Sequence, residues 1–231
     1  MATLREIVDA IEEIVQDDSY NLITRINDAM NDISNGIIMP DKSISPPLPD
    51  LFMYGTVNTS ITLPYVPLPA DYQRGLFKVY DSANERIAPP TGGNYNSFAL
   101  FLKQASNLSL LEVGSIYAVC VKGTKLYYQG IPTVSTTLGL HYYRKPAVMA
   151  LDGDVPDGLP LSLAKRLLVH YVCKEIFGAG LEDGQDNVGV GVKYHTSKFY
   201  EVMAALIELI PVDAEPQYYG SDDFVDAGVC D

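Results

Sequence analysis

Histidine is the side chain best suited to proton transfer and metal binding near neutral pH, and this chain has three, His141, His170 and His195. They are far apart in the sequence, and none has a second ligand at a metal-binding spacing. His170 falls on a predicted helix beside Tyr171 and near Cys173, where we interpret it as a half-buried packing residue. The sequence contains no serine or cysteine nucleophile motif, no HExxH zinc motif and no Walker loop.

Two glycines, Gly189 and Gly191, give the stretch 189–194 the beginning of a dinucleotide-binding fingerprint. The third glycine and the preceding strand that this fingerprint requires are missing, so we expect no phosphate site there. Paired carboxylates for glycoside hydrolysis need only meet in space, and the sequence leaves that possibility open. With 29 acidic residues, no pair stands out.

Acidic residues also gather in two loops that resemble cation-binding turns. Asp152, Asp154 and Asp157 lie close together, but a calcium loop needs glycine at its sixth position and glutamate at its twelfth. Those positions hold Asp157 and Leu163. We interpret this loop as a solvated turn whose acids favour the N-terminus of the next helix. A second acidic loop has the same interpretation; it contains Glu182, Asp183 and Asp186. We predict no cofactor and no metal.

Composition excludes several classes of protein. The net charge of −13 argues against a broad basic surface that grips nucleic acid, although it is compatible with a wall that DNA slides past. Cys120, Cys173 and Cys230 are odd in number and show no CxxC spacing, which predicts neither a disulfide framework nor a zinc site and fits a reducing compartment. The N-terminus lacks an apolar signal core, and no run of eighteen apolar residues exists, so we expect no membrane span.

The two ends of the chain predict amphipathic helices. Helix one runs from about Thr3 to Val15, and Thr3 with Glu6 matches a capping box. The segment 17–19, Asp-Asp-Ser, offers the N-cap of helix two, and Gly36 sits where a C-terminal cap glycine belongs. Near the other end, helix three is predicted from about Leu161 to Phe177 with a stop at the segment 178–180, Gly-Ala-Gly. Helix four is predicted from about Val190 to Ile210, before Pro211.

The middle of the chain predicts strands, after a linker rich in proline and serine at 40–49. The predicted strands are 52–57, 60–66, 77–80, 115–121, 125–129 and 133–143, with a short helix at 97–104. Gly123 can supply the positive φ of a tight hairpin turn between the fourth and fifth strands. We therefore predict an α+β protein: a helical bundle formed from both termini, with an inserted antiparallel β sandwich or barrel-like domain. The predicted boundaries are 1–39, 40–150, 151–210 and 211–231.

The last of these segments is an extended acidic arm. It has six acidic residues and no lysine or arginine, and its aromatic side chains are interspersed among the acids. One interpretation is a disordered acidic end; the other is an arm that orders on a partner, with aromatics as anchors and acids steering towards a basic surface. The residues that would bind are Tyr218, Tyr219, Asp222, Asp223 and Phe224.

Two stretches carry a resemblance to a known family. The first is Leu-Pro-Ala-Asp-Tyr-Gln-Arg at 68–74, which leads into a strand at 77–81. The second is His-Tyr-Tyr-Arg-Lys-Pro-Ala at 141–147, which leads into the acidic turn and helix three. In this order they resemble the head-to-tail adaptors of tailed bacteriophages, also called connector or head-completion proteins.

The resemblance implies a structural protein of the virion, assembled in the host cytoplasm and not an enzyme. It implies a dodecameric ring beneath the portal that extends the DNA channel and provides the platform for tail or nozzle components. The C-terminal arm would dock on the portal. Arg74, Arg144 and Lys145 are candidates for contacts with neighbouring subunits or partners. An acidic helix face would line the channel and keep DNA from sticking; it contains Asp9, Glu12 and Glu13.

The sequence leaves two other functions open. The first is a tail component whose β region binds carbohydrate or protein, which an exposed aromatic cluster would favour. The second is an enzyme such as a cell-wall hydrolase, which a deep pocket with two close carboxylates would favour.

Overall fold

The structure is a computed structural model that describes residues 2–17, 19–87, 89, 95–104, 111–182 and 188–210. These residues divide into two compact units. One combines the stretch up to Leu51 with the stretch from Lys145, and the other is Phe52–Arg144. The C-terminal arm predicted at 211–231 lies outside the described residues.

Helices α1 (Leu4–Val15) and α2 (Leu22–Asn35) form the N-terminal part of the helical unit. The predicted capping box is confirmed, because the Thr3 hydroxyl accepts a hydrogen bond from the backbone N–H of Glu6 and the Glu6 carboxylate accepts one from the backbone N–H of Thr3. The N-cap of α2 was predicted wrongly. It is Asn21, whose side chain accepts from the N–H of Thr24, while the carboxylate of Asp17 is used locally by the N–H of Ser19.

Helices α4 (Leu161–Glu182) and α5 (Val188–Leu209) complete this unit, and α4 packs against α1, α2 and α5. Apolar side chains of all four helices are buried, as the helical periodicity predicts; they include Leu4, Ile7, Ile11, Ile26, Met30, Ile33, Leu167, Val172, Phe199, Val202 and Leu206. The predicted helix stop at 178–180 is wrong. A glycine inside a helix costs only about 1 kcal/mol, which is less than packing along α4 can supply.

In the other unit, the described residues form six strands and one short helix, α3 (Phe98–Gln104). The first sheet has the order β1 (Phe52–Asn58), β6 (Thr137–Arg144), β3 (Tyr72–Tyr80), and all its pairs are antiparallel. The second has the order β2 (Tyr65–Pro67), β5 (Lys125–Gln129), β4 (Ala118–Lys122), and it is also antiparallel. The predicted hairpin between β4 and β5 is confirmed, with Gly123 at φ +60°.

Some strand limits differ from the prediction. The predicted strand at 60–66 is only Tyr65–Pro67, because the hydroxyl of Ser60 accepts from the N–H groups of Thr62 and Leu63 and turns the chain. The predicted strands at 115–121 and 133–143 begin three and four residues later, at Ala118 and Thr137.

One buried cluster draws side chains from both sheets. The inner face of the first sheet contributes Leu76, Val79, Leu138, Leu140 and Tyr142, and the second sheet contributes Val66, Val119, Val121, Leu126 and Tyr128. Over the described part of the chain the strands form two open sheets and no closed barrel.

Candidate functional site on the outer face of the first sheet

The two sequence stretches at 68–74 and 141–147 meet in the first sheet. Strand β3 pairs with β6 so that Tyr72 lies opposite Arg144 and Arg74 lies opposite Tyr143. The hydroxyl of Tyr142 donates a hydrogen bond of 2.8 Å to the carboxylate of Asp71. The turn that contains Asp71 is closed by the backbone bond from Tyr72 N–H to the Pro69 carbonyl.

The face of this sheet opposite the core is aromatic. Because side chains alternate between faces, Phe52 and Tyr54 of β1 lie on the same side as His141 and Tyr143 of β6. Ring centroids of neighbouring members lie 5.2–5.9 Å apart, at tilted, stacked and edge-to-face angles that suit aromatic pairs; the members are Phe52, Tyr54, Phe77, Tyr80, His141 and Tyr143. We call these six residues the aromatic face.

Two cationic residues border the aromatic face. The guanidinium of Arg74 lies over the Tyr143 ring, 5.9 Å from its centroid. Lys78 lies opposite His141, and partial burial together with the charge of Lys78 lowers the pKa of His141. His141 is therefore neutral at pH 7, and the positive charge at this face comes from lysine and arginine.

The predicted partner-contact residues are placed as follows. Arg74 and Arg144 both lie on the β3–β6 pair, and Arg144 is half-buried at the end of β6. Lys145 is exposed and is the first residue of the returning helical unit. The sequence reasoning missed Phe52, Phe77 and Tyr80, which are half-buried on this face. The alternation of Phe52 and Tyr54 along β1 was a signal for the first of them. Phe77 and Tyr80 are three positions apart and share the face because of the register shift between Leu76 and Lys78, which the sequence does not show.

The acidic face of α1 is exposed. Asp9 makes an ion pair of 2.8 Å with Arg5, one turn earlier on the helix, and Glu12 and Glu13 lie in solvent. The buried residues Ile7 and Ile11 occupy the opposite side of the helix. The three acids proposed to face the channel thus share the solvent side of one helix.

In the acidic turn before α4, the carboxylates of Asp154 and Asp157 accept hydrogen bonds from nearby backbone N–H groups. The carboxylate of Asp154 accepts from the N–H groups of Ala150 and Leu151, and these bonds lower the pKa of Asp154. The turn does serve a helix N-terminus, but it is that of α1 and not of the following helix. The carbonyl of Asp154 accepts from Leu4 N–H at 2.7 Å.

The carbonyl of Asp152 accepts from the next N–H of α1, that of Arg5, at 3.2 Å. The carboxylate of Asp157 accepts from Ala147 N–H. In the described ranges, no three His, Cys, Asp or Glu side chains come together as a set of metal ligands. The second acidic loop lies outside the described residues from Asp183 onwards.

His170 has a partner that the sequence did not indicate. Its Nδ1 lies 3.0 Å from the Nδ1 of His195 on α5, and the Phe177 and Tyr194 rings surround His195. Burial lowers the pKa of both histidines, and the mutual proximity lowers that of His170 further. The pair is 25 residues apart in sequence, and it joins α4 to α5 through a hydrogen bond between the two rings.

The glycine pair of the supposed dinucleotide fingerprint lies inside α5. A Cβ on Gly191 would lie 3.2 Å from Cδ2 of Phe177 on α4. This glycine therefore allows two helices to approach closely, and the segment is helical and not a glycine-rich loop between a strand and a helix.

Within the described residues, a cavity opens at the surface of each unit. The larger, of about 400 Å³, is lined in part by Asp81 and Ser82, and the other, of about 240 Å³, is lined in part by Asp50. Each is lined by one carboxylate, so neither offers a pair, and that of Asp81 accepts from the N–H groups of Ala83 and Glu85.

Two thiols are buried. Burial raises the pKa of Cys120 to about 11 and that of Cys173 to about 12, so both remain protonated at neutral pH. Cys230 and the arm residues Tyr218, Tyr219, Asp222, Asp223 and Phe224 lie outside the described residues. Of the helices the structure describes, none is both long and apolar enough to pass through a membrane.

Comparison with known proteins gives one result that covers both units. A family model described as SU10 adaptor protein matches residues 2–221. Among curated proteins, none matches the chain.

Proposed function

Because this chain belongs to the SU10 adaptor protein family, we propose that it is a head-to-tail adaptor that forms a ring under the portal of a tailed bacteriophage. Membership itself identifies a phage adaptor and a component of the virion. The proposal adds three features to this: the ring, the contact with the portal and the DNA channel. The match over residues 2–221 carries it, since it includes the helical unit, the sheet unit and part of the arm.

In this proposal the subunits form a dodecamer that is assembled in the host cytoplasm and extends the DNA channel. The exposed acids of α1, Asp9, Glu12 and Glu13, face the channel, where negative charge repels the phosphates of passing DNA. The overall charge of −13 is consistent with a protein that DNA passes without binding.

The arm docks on the portal in the same proposal. Tyr218, Tyr219 and Phe224 supply apolar anchors, and Asp222 and Asp223 steer the arm towards a basic surface. In this proposal the segments 1–39 and 151–210 together form one helical body. The segment 40–150 is a β insertion in the form of a small sandwich, and the segment 211–231 is the arm.

The aromatic face is the proposed contact with neighbouring subunits or tail and nozzle components. Tyrosine, phenylalanine and arginine are enriched at protein interfaces, and this face combines all three with Arg74 at its border. Arg144 and Lys145 extend the positive charge at the end of β6.

The same aromatic face favours a second candidate function, a tail component whose β unit binds carbohydrate or protein. Tyr54, at 54% exposure, presents an aromatic ring on which a sugar could stack. Soluble cell-wall oligosaccharides that shift the sheet unit's nuclear magnetic resonance signals, with loss of the shifts in Tyr54→Ala, would favour this candidate over a purely structural face.

The ring is tested by mixing the full chain with assembled portal and measuring the mass of the complex by native mass spectrometry. We expect one ring of this chain per portal ring. The chain without the residues after Pro211 should keep its helical signal and fail to dock, and docking at unchanged affinity would contradict the portal contact.

Matched arm variants separate the two roles in docking. Replacing Tyr218, Tyr219 and Phe224 by serine should abolish docking at every salt concentration, because it removes the buried anchors. Replacing Asp222 and Asp223 by asparagine should slow association mainly at low salt, because screening already weakens steering at high salt. Equal behaviour of the two variants would contradict this division.

The channel role is tested with Glu12→Lys/Glu13→Lys in reconstituted particles. We expect slower DNA ejection, since the new cations attract phosphate. Glu85→Lys, an exposed acid of the sheet unit, is the control and should eject at the normal rate. Unchanged ejection in the α1 variant would remove α1 from the channel wall.

A further inference from the structure

Among the described residues, strand β1 is an edge of the first sheet that carries none of the features that usually protect an edge strand. It extends over seven residues and contains no charged residue and no proline. Within the described part of the chain, its backbone hydrogen bonds to other strands go to β6 alone. Natural proteins normally protect such edges, because unpaired N–H and C=O groups are a template for another strand.

The other three sheet edges are protected. Strand β3 has three register shifts along its length, carries Arg74 and Lys78, and is joined at Val79 by the N–H of Ile87. Strand β4 donates from Val121 N–H to the carbonyl of Tyr95.

Strand β2 has only three residues, the last of which is Pro67. β1 differs from these three strands, and this contrast indicates that the open edge of β1 pairs with another strand.

The two faces of β1 differ in chemistry. Met53 and Val57 point to the core side and are only partly buried there. Tyr54, Thr56 and Asn58 point to the opposite face and are exposed. A strand that completes this edge must therefore offer apolar side chains on one face and uncharged polar ones on the other.

We infer that the strand that completes this edge is β1 of a second copy of the chain, paired antiparallel about a two-fold axis at Gly55. In this register Met53 lies opposite Val57 of the second copy, and Tyr54 lies opposite Thr56. Apolar residues meet apolar residues beside the core, and polar residues meet on the other face. A carboxylate on β1 would oppose association of two chains of charge −13, and β1 has none.

The contact is distinct from the proposed ring. A two-fold contact joins two copies and cannot close a ring of more than two, which needs two different surfaces on each subunit. A seven-residue strand pair is small for a protein interface, so the dimer forms at high and dissociates at low protein concentration. The inference thus goes beyond the proposed function and does not depend on it.

Sedimentation velocity of the full chain alone, over a concentration series, is the first test. We expect a reversible monomer–dimer equilibrium. Thr56→Glu should raise its dissociation constant at least about tenfold, because it brings two carboxylates to the paired edge. Thr133→Glu makes the same charge change at an exposed loop residue of the same unit and should leave the equilibrium unchanged.

Disulfide trapping tests the register. Tyr54→Cys and Thr56→Cys are made separately in a Cys230→Ser background and oxidised alone or mixed. Directly opposite positions are about 5 Å apart between Cβ atoms and diagonal ones about 7–8 Å, so the mixture should cross-link and each variant alone should not.

A chain that stays monomeric at all concentrations overturns the inference. So does a dimer that Thr56→Glu leaves intact, or cross-linking of single variants as efficient as that of the mixture. Circular dichroism of each variant verifies the fold, and the trapping experiment decides the question if Thr56→Glu does not fold.

Discussion

The Tyr142 hydroxyl donates to the Asp71 carboxylate at 2.8 Å, and this bond joins the two sequence stretches that carry the family resemblance. Tyr142 is 1% exposed, and burial together with the neighbouring carboxylate raises its pKa. Its hydroxyl also covers Gly55, where a Cβ would lie only 2.7 Å away. One side chain thus links β6, the turn before β3, and β1.

Tyr142→Phe should lower the free energy of unfolding of the sheet unit by about 1.5–3 kcal/mol, the range for a hydrogen bond to a charged group. Urea denaturation followed by tyrosine fluorescence measures it. Tyr127→Phe changes a partly buried tyrosine of β5 that packs against Phe101, and it is the comparison. We expect a change within about 0.5 kcal/mol. Equal losses would show that the Asp71 bond contributes nothing specific.

Asn27 fixes the loop before α4 to α2. Its side-chain amide accepts from Met149 N–H and donates to the Met149 carbonyl, both at 2.9 Å. Asn27→Leu should cost about 1–3 kcal/mol of unfolding free energy, because the Met149 groups lose their partners in a partly buried site. Thr24→Ala, an exposed change on the same helix, should be nearly neutral. Thermal unfolding of both variants checks this.

Two helical glycines should respond differently to the same substitution. Gly178→Ala should stabilise the protein by about 0.5–1 kcal/mol, because nothing lies within 4 Å of the new methyl group. Gly191→Ala should gain less or nothing, since its methyl group meets Phe177 at 3.2 Å. Chemical denaturation measures both, and an equal gain would mean that α4 and α5 separate without cost.

The His170–His195 pair predicts that acid destabilises the helical unit. Both pKa values lie below the ordinary 6.5 in the folded chain, so the unfolded chain binds protons more readily. The contribution of the pair to the free energy of unfolding is therefore fully present above pH 6.5. It declines as the pH falls, until the histidines of the folded chain are also protonated. Urea unfolding at pH 7.5 and 5.5 should show this loss.

His195→Phe should reduce the pH-dependent loss, because it removes one titrating group and relieves the other. Tyr194→Phe changes the same surroundings and keeps both histidines, so it should retain the full pH dependence. If the unchanged chain and both variants lose the same stability at low pH, groups other than the two histidines cause the loss.

Local patterns in the sequence determined the helices and one hairpin. The capping box of Thr3 and Glu6, the apolar spacing of α1 and the positive φ of Gly123 all depend on residues a few positions apart. Such interactions can be recognised without the rest of the chain. The continuation of α4 through Gly178 could not be recognised from local sequence, because packing along the whole helix outweighs the local cost of a glycine.

Only the tertiary structure decided which distant residues meet. It brought His170 to His195, Tyr142 to Asp71, and the carbonyl of Asp154 to the N-terminus of α1. It also gathered the aromatic face from three strands and left β1 as the unprotected edge. These pairings depend on strand register and helix packing, which arise from the burial of many side chains together, so no short stretch of the sequence encodes them.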